Sequence, residues 1–192
     1  MKAYSGRRST GGLIDRDRLI PFQFNDRHYK GHPGDTLASA LLANGVRVVA
    51  RSLKYHRPRG IVGAGFEEPN ALVQLQGTTD EPNVLATCLP LPDHLHAKSQ
   101  NCWPGPRVDL GSVNDRISML IPAGFYYKTF MWRPWNSYAR VIRKAAGLGQ
   151  IPKTTECGFY EKRYHHCDIL IVGAGPSGLA AALVAVESGA RV

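Results

Sequence analysis

The chain of 192 residues is 43% apolar and 20% charged, a globular composition with room for one domain and part of another. No run approaches the roughly 18 consecutive apolar residues of a membrane helix, and the polar, glycine-rich start from Met1 to Asp17 has no signal core, so a cytoplasmic protein with no membrane partner is expected. The net charge of +9 is unevenly placed: residues 1–60 hold 12 Lys/Arg and 4 Asp/Glu, a balance of +8, which leaves +1 for the rest. Such a basic front suits an anionic cofactor, an acidic partner or nucleic acid.

In chain order, residues 1–18 read as a flexible arm, rich in Ser, Gly and Arg without period. Leu19 to Phe24 predicts a strand, Asn25-Asp26-Arg27 a hairpin turn and His28 to Lys30 the return. Asp35 is the expected N-cap of a helix that buries Leu37, Ala40 and Leu41 and closes at Asn44-Gly45. Val46 to Ala50 is extended, Arg51 to Pro69 a long loop, and Ala71 to Gln76 and Val84 to Leu89 two further strands. Hairpin, helix and more strands give the order of an α+β β-grasp domain, expected over residues 19–97.

Residues 98–167 read as a connector that wraps over a neighbouring domain. They hold Trp103, Trp132 and Trp135 and several prolines, with one short amphipathic helix from Ser137 to Ala146. Cys88, Cys102, Cys157 and Cys167 form no CxxC pair and suggest neither a zinc knuckle nor a redox dithiol. His94 and His96 with Cys102 match no usual metal spacing, and surface or core positions are expected for them.

Residues 168–192 are expected to begin a dinucleotide-binding domain of which the chain holds only the front. A strand over Ile169 to Val172 enters Gly173-x-Gly175-x-x-Gly178 and leaves as a helix with Leu179, Ala182, Leu183 and Val186 on one face and a glycine stop at Gly189. The first glycine allows the tight turn, the second lets a pyrophosphate approach the backbone, and the third lets the helix pack on the strand. Gly173, Ala174, Gly175, Pro176, Ser177 and Gly178 are therefore the expected cofactor-binding residues, with the helix N-terminus attracting phosphate. The acidic residue that would grip the ribose belongs about 20 residues beyond the turn, past Val192, so NAD and FAD both stay open. The alternative is a glycine turn that serves packing alone.

The segments TLASALLANGV (36–46), RSLKYHRPRG (51–60) and EPNALV (68–73) closely resemble the alpha subunit of heterotetrameric sarcosine oxidase. So do SQNCWP (99–104), VND (113–115), PAGFYYKTFMW (122–132) and AGLG (146–149). The resemblance covers about residues 19–192. It implies a cluster-less ferredoxin-like β-grasp domain followed by the first βαβ unit of an α/β Rossmann-type domain, in a subunit completed by a folate-binding domain. It further implies partner beta, gamma and delta subunits, NAD on alpha, and FAD and FMN on or near beta. The implied reaction is oxidation of sarcosine to glycine by O2, giving H2O2 and formaldehyde or methylene-tetrahydrofolate. A related opine- or proline-type dehydrogenase subunit, or a non-catalytic interaction module, is the alternative.

Relatives that hold a [2Fe–2S] cluster on this fold place cysteines in C-x4-C-x2-C shortly after a Pro-Arg-Gly. Counted from Pro58-Arg59-Gly60, those positions fall on Gly63, Glu68 and Ala71, with the fourth near Thr87 and Cys88 one place off. No iron–sulfur cluster is expected. The resemblance implies that the catalytic residues lie mostly on the beta subunit and in parts of alpha absent here, and no Ser-His-Asp set, paired carboxylates or metal cluster appears in this chain to replace them, so no catalytic residue is expected in it. The basic loop Arg51 to Arg59 reads as an interface or cofactor-facing loop, or as a solvated one; nucleic acid would prefer a longer basic face with interleaved aromatics.

Overall fold

The computed structural model describes residues 6–8, 10–77, 80–120, 134–139 and 161–192. The chain divides into two compact units, Met1–Glu156 and Cys157–Val192.

In the first unit, strand β1 (Ile20–Phe24) alternates apolar and polar residues and so buries Ile20, Phe22 and Phe24 on one face. Asn25 and Asp26 turn the chain with φ of 51° and 60°, the positive pair that a two-residue hairpin needs to match strand twist. Strand β2 (Arg27–Gly31) returns antiparallel, so the turn is one residue shorter than expected because Arg27 already pairs with Phe24. Helix α1 (Leu37–Ala43) lays Leu37, Ala38, Ala40 and Leu41 on the core.

The cap of α1 is Thr36, not Asp35. Thr36 Oγ1 accepts the Ser39 amide and Ser39 Oγ accepts the Thr36 amide, a reciprocal box that satisfies two donors at the helix start. Asp35 sits one residue earlier and buried, where it takes two bonds from Arg7 at 2.8 and 2.7 Å, one from Ser39 Oγ at 2.7 Å and one from the His32 amide at 2.8 Å. Together with Asp15 N donating to Pro33 O at 3.0 Å, this anchors Arg7 and Asp15 of the segment expected to be a flexible arm. Its anchor is a charge pair 28 residues away in sequence, which no local period reports.

Strands β3 (Ala50–Arg51) and β4 (Pro58–Arg59) pair antiparallel as a short separate ribbon. Strands β5 (Leu72–Gln76), β6 (Val84–Leu85) and β7 (Leu95–Ser99) complete a five-stranded sheet in the order β2-β1-β7-β5-β6, with β1 and β7 parallel at its centre and the other pairs antiparallel. This mixed sheet, with α1 sharing its core, is the arrangement expected of a β-grasp domain. The strand expected from Val84 to Leu89 ends at Leu85. Strand β7 is not expected from the sequence pattern, and it crosses the boundary expected between residues 97 and 98. Only Ala97 of LHAKS is fully buried, so its pattern is too polar to stand out, yet it lies between β1 and β5.

Beyond the sheet, a 3-10 turn (Leu110–Ser112) runs into the short helix α2 (Val113–Arg116). Residues 135–139 are helical, and the rest of the helix expected from Ser137 to Ala146 lies outside the described residues, as do Trp132 and Cys157. In the second unit, helix α3 (Pro176–Glu187) starts from an extended Gly175 with Pro176 in its first turn and stops before Gly189, whose φ is 78°. Ile169 to Val172, expected to be a strand, carries no ladder, so a βαβ unit is not formed among the described residues. The expected apolar face of α3 is open: Leu179, Leu183 and Val186 are each more than half exposed.

Candidate functional site

The loop that carries the expected cluster positions is organised around a carboxylate. Glu68 is buried, and its Oε2 accepts the amides of Val62, at 2.7 Å, and Gly63, while its Oε1 accepts the amide of Asn70 at 2.8 Å. Burial favours the neutral acid, but the amides of Gly63, Val62, Asn70 and Ala71 outweigh it and hold the Glu68 carboxyl below the usual carboxylate range. Gly63 and Ala71 offer no side-chain donor to a metal. Thr87 Oγ1 donates to Gly65 O at 2.8 Å, closing the same loop from the opposite side. Four thiolates are what a cluster requires, and this loop gives its inward amides to Glu68 instead, so the residues present do not fit one. Among the described residues no three His, Cys, Asp or Glu side chains are grouped for a metal ion.

The neighbouring basic loop is equally built. Arg51 donates from Nε to Pro106 O at 2.7 Å, from Nη1 to His56 O at 2.9 Å and from Nη2 to Arg107 O at 3.2 Å. The buried pair His56 and Asp109 meets at 2.7 Å, and Asp109 Oδ1 also accepts the amides of Trp103 at 2.9 Å and Gly111 at 3.2 Å. A Cβ on Gly111 would collide with the His56 imidazole, so that position requires glycine. Lys54 Nζ and Arg57 Cζ each lie 4.9 Å from the Tyr55 ring centre, and Arg57 also pairs with Asp115 at 2.7 Å. The sequence singled out this loop but not its dependence on Asp109, whose only local signal is a polar residue between a Pro-rich stretch and a glycine.

At the glycine turn the three glycines are distinct. Gly173 has φ of 109°, open only to glycine without strain. Gly175 has φ of −75°, and no atom lies within 4 Å of a Cβ placed there, which leaves clear space beside the start of α3. A Cβ on Gly178 would strike the carbonyl oxygen of Gly173. Ala174, Pro176 and Ser177 complete the turn into the helix. Asp168 and Ile169 donate their amides to Arg191 O at 2.8 and 3.1 Å, and the Arg191 side chain grips the Asp168 carboxylate at 3.0 Å, so the chain on leaving α3 comes back beside its own entry. An open cradle at the N-terminus of a twelve-residue helix fits a phosphate group.

Residues 17–102 match the family described as a 2Fe-2S iron-sulfur cluster binding domain. Over 185 residues the chain is 54% identical to "Sarcosine oxidase subunit alpha" of Rhizobium meliloti (strain 1021), covering 94% of this chain and 19% of that one. It is 31% and 32% identical to proteins of the same name from Corynebacterium sp. strains U-96 and P-1, covering 98% and 96% of this chain and 15% of each of theirs. The chain thus spans less than a fifth of the length of these relatives. The crystal structure of L-proline dehydrogenase from P. horikoshii shares 20% identity over 45% of this chain, with a TM-score of 0.37, too low to relate the two folds. Among the described residues no helix is long and apolar enough to cross a membrane.

Proposed function

We propose that this chain, which matches sarcosine oxidase alpha subunits over almost all of its own length, forms the ferredoxin-like and nucleotide-binding portion of such a subunit. The reaction proposed for the whole complex is oxidation of sarcosine by O2 to glycine and H2O2, with the methyl carbon released as formaldehyde or passed to tetrahydrofolate. This portion contributes binding and contacts rather than bond-breaking groups.

In that reading the turn from Gly173 to Gly178 holds the pyrophosphate of NAD or FAD. The dinucleotide supplies hydride chemistry when bound. The chain's own part is to present the free amides at the start of α3 and to leave the space beside Gly175 clear. Beta, gamma and delta subunits are the proposed partners, with FAD and FMN on or near beta. The first unit carries a loop closed on Glu68 where relatives of this fold bind a cluster.

The observation that carries the proposal is the 54% identity over 94% of the chain. The test is to purify the complete complex through this subunit and compare turnover of sarcosine with that of proline and opines. Sarcosine-dependent H2O2 formation with bound dinucleotide is expected; preference for another amine, or a purified complex without flavin, would reject it.

A further inference from the structure

Between the β3–β4 ribbon and the start of β5 lies a cavity of about 430 Å³, within the roughly 300–1,000 Å³ of small-molecule sites. Among the described residues it is lined by Arg51, Lys54, Arg57 and Arg59, by Asn70 and Asn83 and by apolar Leu53 and Leu72, and by no Asp or Glu. The three bonds of Arg51 all go to carbonyl oxygens, which orient its guanidinium without neutralising it. Arg59 makes no ion pair among the described residues, and the carboxylate of Asp115 meets Arg57 on an exposed flank.

The backbone that carries these cations is also held in place. Asn101 Nδ2 donates to the carbonyls of Arg51 and Ser52, Ser52 Oγ accepts the Arg57 amide at 3.0 Å, and Asn114 Nδ2 donates to Lys54 O at 3.3 Å. The buried His56–Asp109 pair fixes the centre of the loop to the segment that follows β7. A flexible basic loop loses entropy when it closes on an anion, whereas a loop already fixed by its backbone avoids most of that cost. A multiply charged oxyanion with several acceptor oxygens suits this set of guanidinium, ammonium and amide donors better than a single carboxylate does.

We propose that this cavity is a binding site for a phosphate-bearing small molecule, separate from the glycine turn. It is independent of the proposed reaction, since it rests on the first unit alone.

Calorimetric titration of the full chain with pyrophosphate, and with inorganic phosphate, tests the site at fixed ionic strength set by chloride. Three variants divide the outcomes: K54S/R59S, the single charge reversal R59E on the exposed ribbon, and G175V at the turn. With G175V as the background that removes any binding at the turn, saturable pyrophosphate binding is still expected, weakened at least tenfold when K54S/R59S or R59E is added to that background. Affinity untouched by both cavity variants, loss of binding in G175V alone, or displacement by chloride as effective as by phosphate would each overturn the proposal. The R59E variant keeps the test decisive if the double variant misfolds.

Discussion

The carboxylate of Glu68 reaches back to the amide of Gly63, joining two of the positions at which a cluster-bearing ferredoxin would carry thiolates. The same carboxylate serves Val62 and Asn70, so one side chain satisfies three backbone donors of a loop that has little regular structure. Glu68→Ala should therefore lower stability by roughly 3 kcal/mol, the scale of buried donors left without an acceptor. Glu68→Gln keeps the shape and one acceptor oxygen and should cost less. Urea unfolding of the full chain followed by circular dichroism measures both, and an Ala variant as stable as the parent would show the loop to be held otherwise.

The pH dependence follows from the same group and from Asp35. Burial raises the Asp35 pKa, but Arg7, Ser39 and the His32 amide together hold it below its ordinary value, as the loop amides do for Glu68. Both folded values lie below the unfolded ones, so the stabilisation is fully present above the ordinary carboxylate range and is lost as pH falls through the lowered values. Thermal melts from pH 7 down to pH 3 should show a steeper loss for the parent than for Asp35→Asn, whose curve starts lower and flattens. Arg7→Ala should share that lower starting point, because it leaves Asp35 buried beside fewer partners.

Cys102 should be less reactive than Cys167. Burial first, and then the neighbouring Asp109 carboxylate, push its pKa up to about 11, so little thiolate exists at neutral pH. Cys167 is exposed. Iodoacetamide at pH 8 followed by peptide mass spectrometry should label Cys167 well before Cys102. Asp109→Asn should speed labelling of Cys102, by removing a charge and by loosening the His56 contact.

Under the proposed function, the glycine turn separates binding from packing. Gly175→Val should weaken dinucleotide binding by the full subunit at least about tenfold, near 1.4 kcal/mol. Its melting temperature should change little, because Gly175 has an ordinary φ and free space around it. Gly178→Ala should lower the melting temperature as well, since its methyl group meets the Gly173 carbonyl. Fluorescence titration decides the first point and calorimetry the second; unchanged affinity in Gly175→Val would reduce the turn to a packing element.

Much of the local chemistry was legible in the sequence, although the capping box of Thr36 and Ser39 and the amides gathered by Glu68 were not. Ile20, Phe22 and Phe24 announce β1 by alternation, Asn25-Asp26 the tight turn, Asn44-Gly45 the helix end, and Gly173-x-Gly175-x-x-Gly178 the entry into α3. The absence of cysteine at positions 63, 68 and 71 is likewise a plain reading of the residues.

What the tertiary structure alone decided are the relationships that span long stretches of chain. Strand β7 takes its place between β1 and β5 through ladder bonds that its polar sequence does not advertise. Arg7 finds Asp35 and thereby leaves the cap of α1 to Thr36. Asp109 fixes His56 across 53 positions. The physical reason is common to all three: a buried charge or an unpaired strand edge is costly until it meets its partner, and that partner is chosen by the fold in three dimensions, where sequence period carries no information.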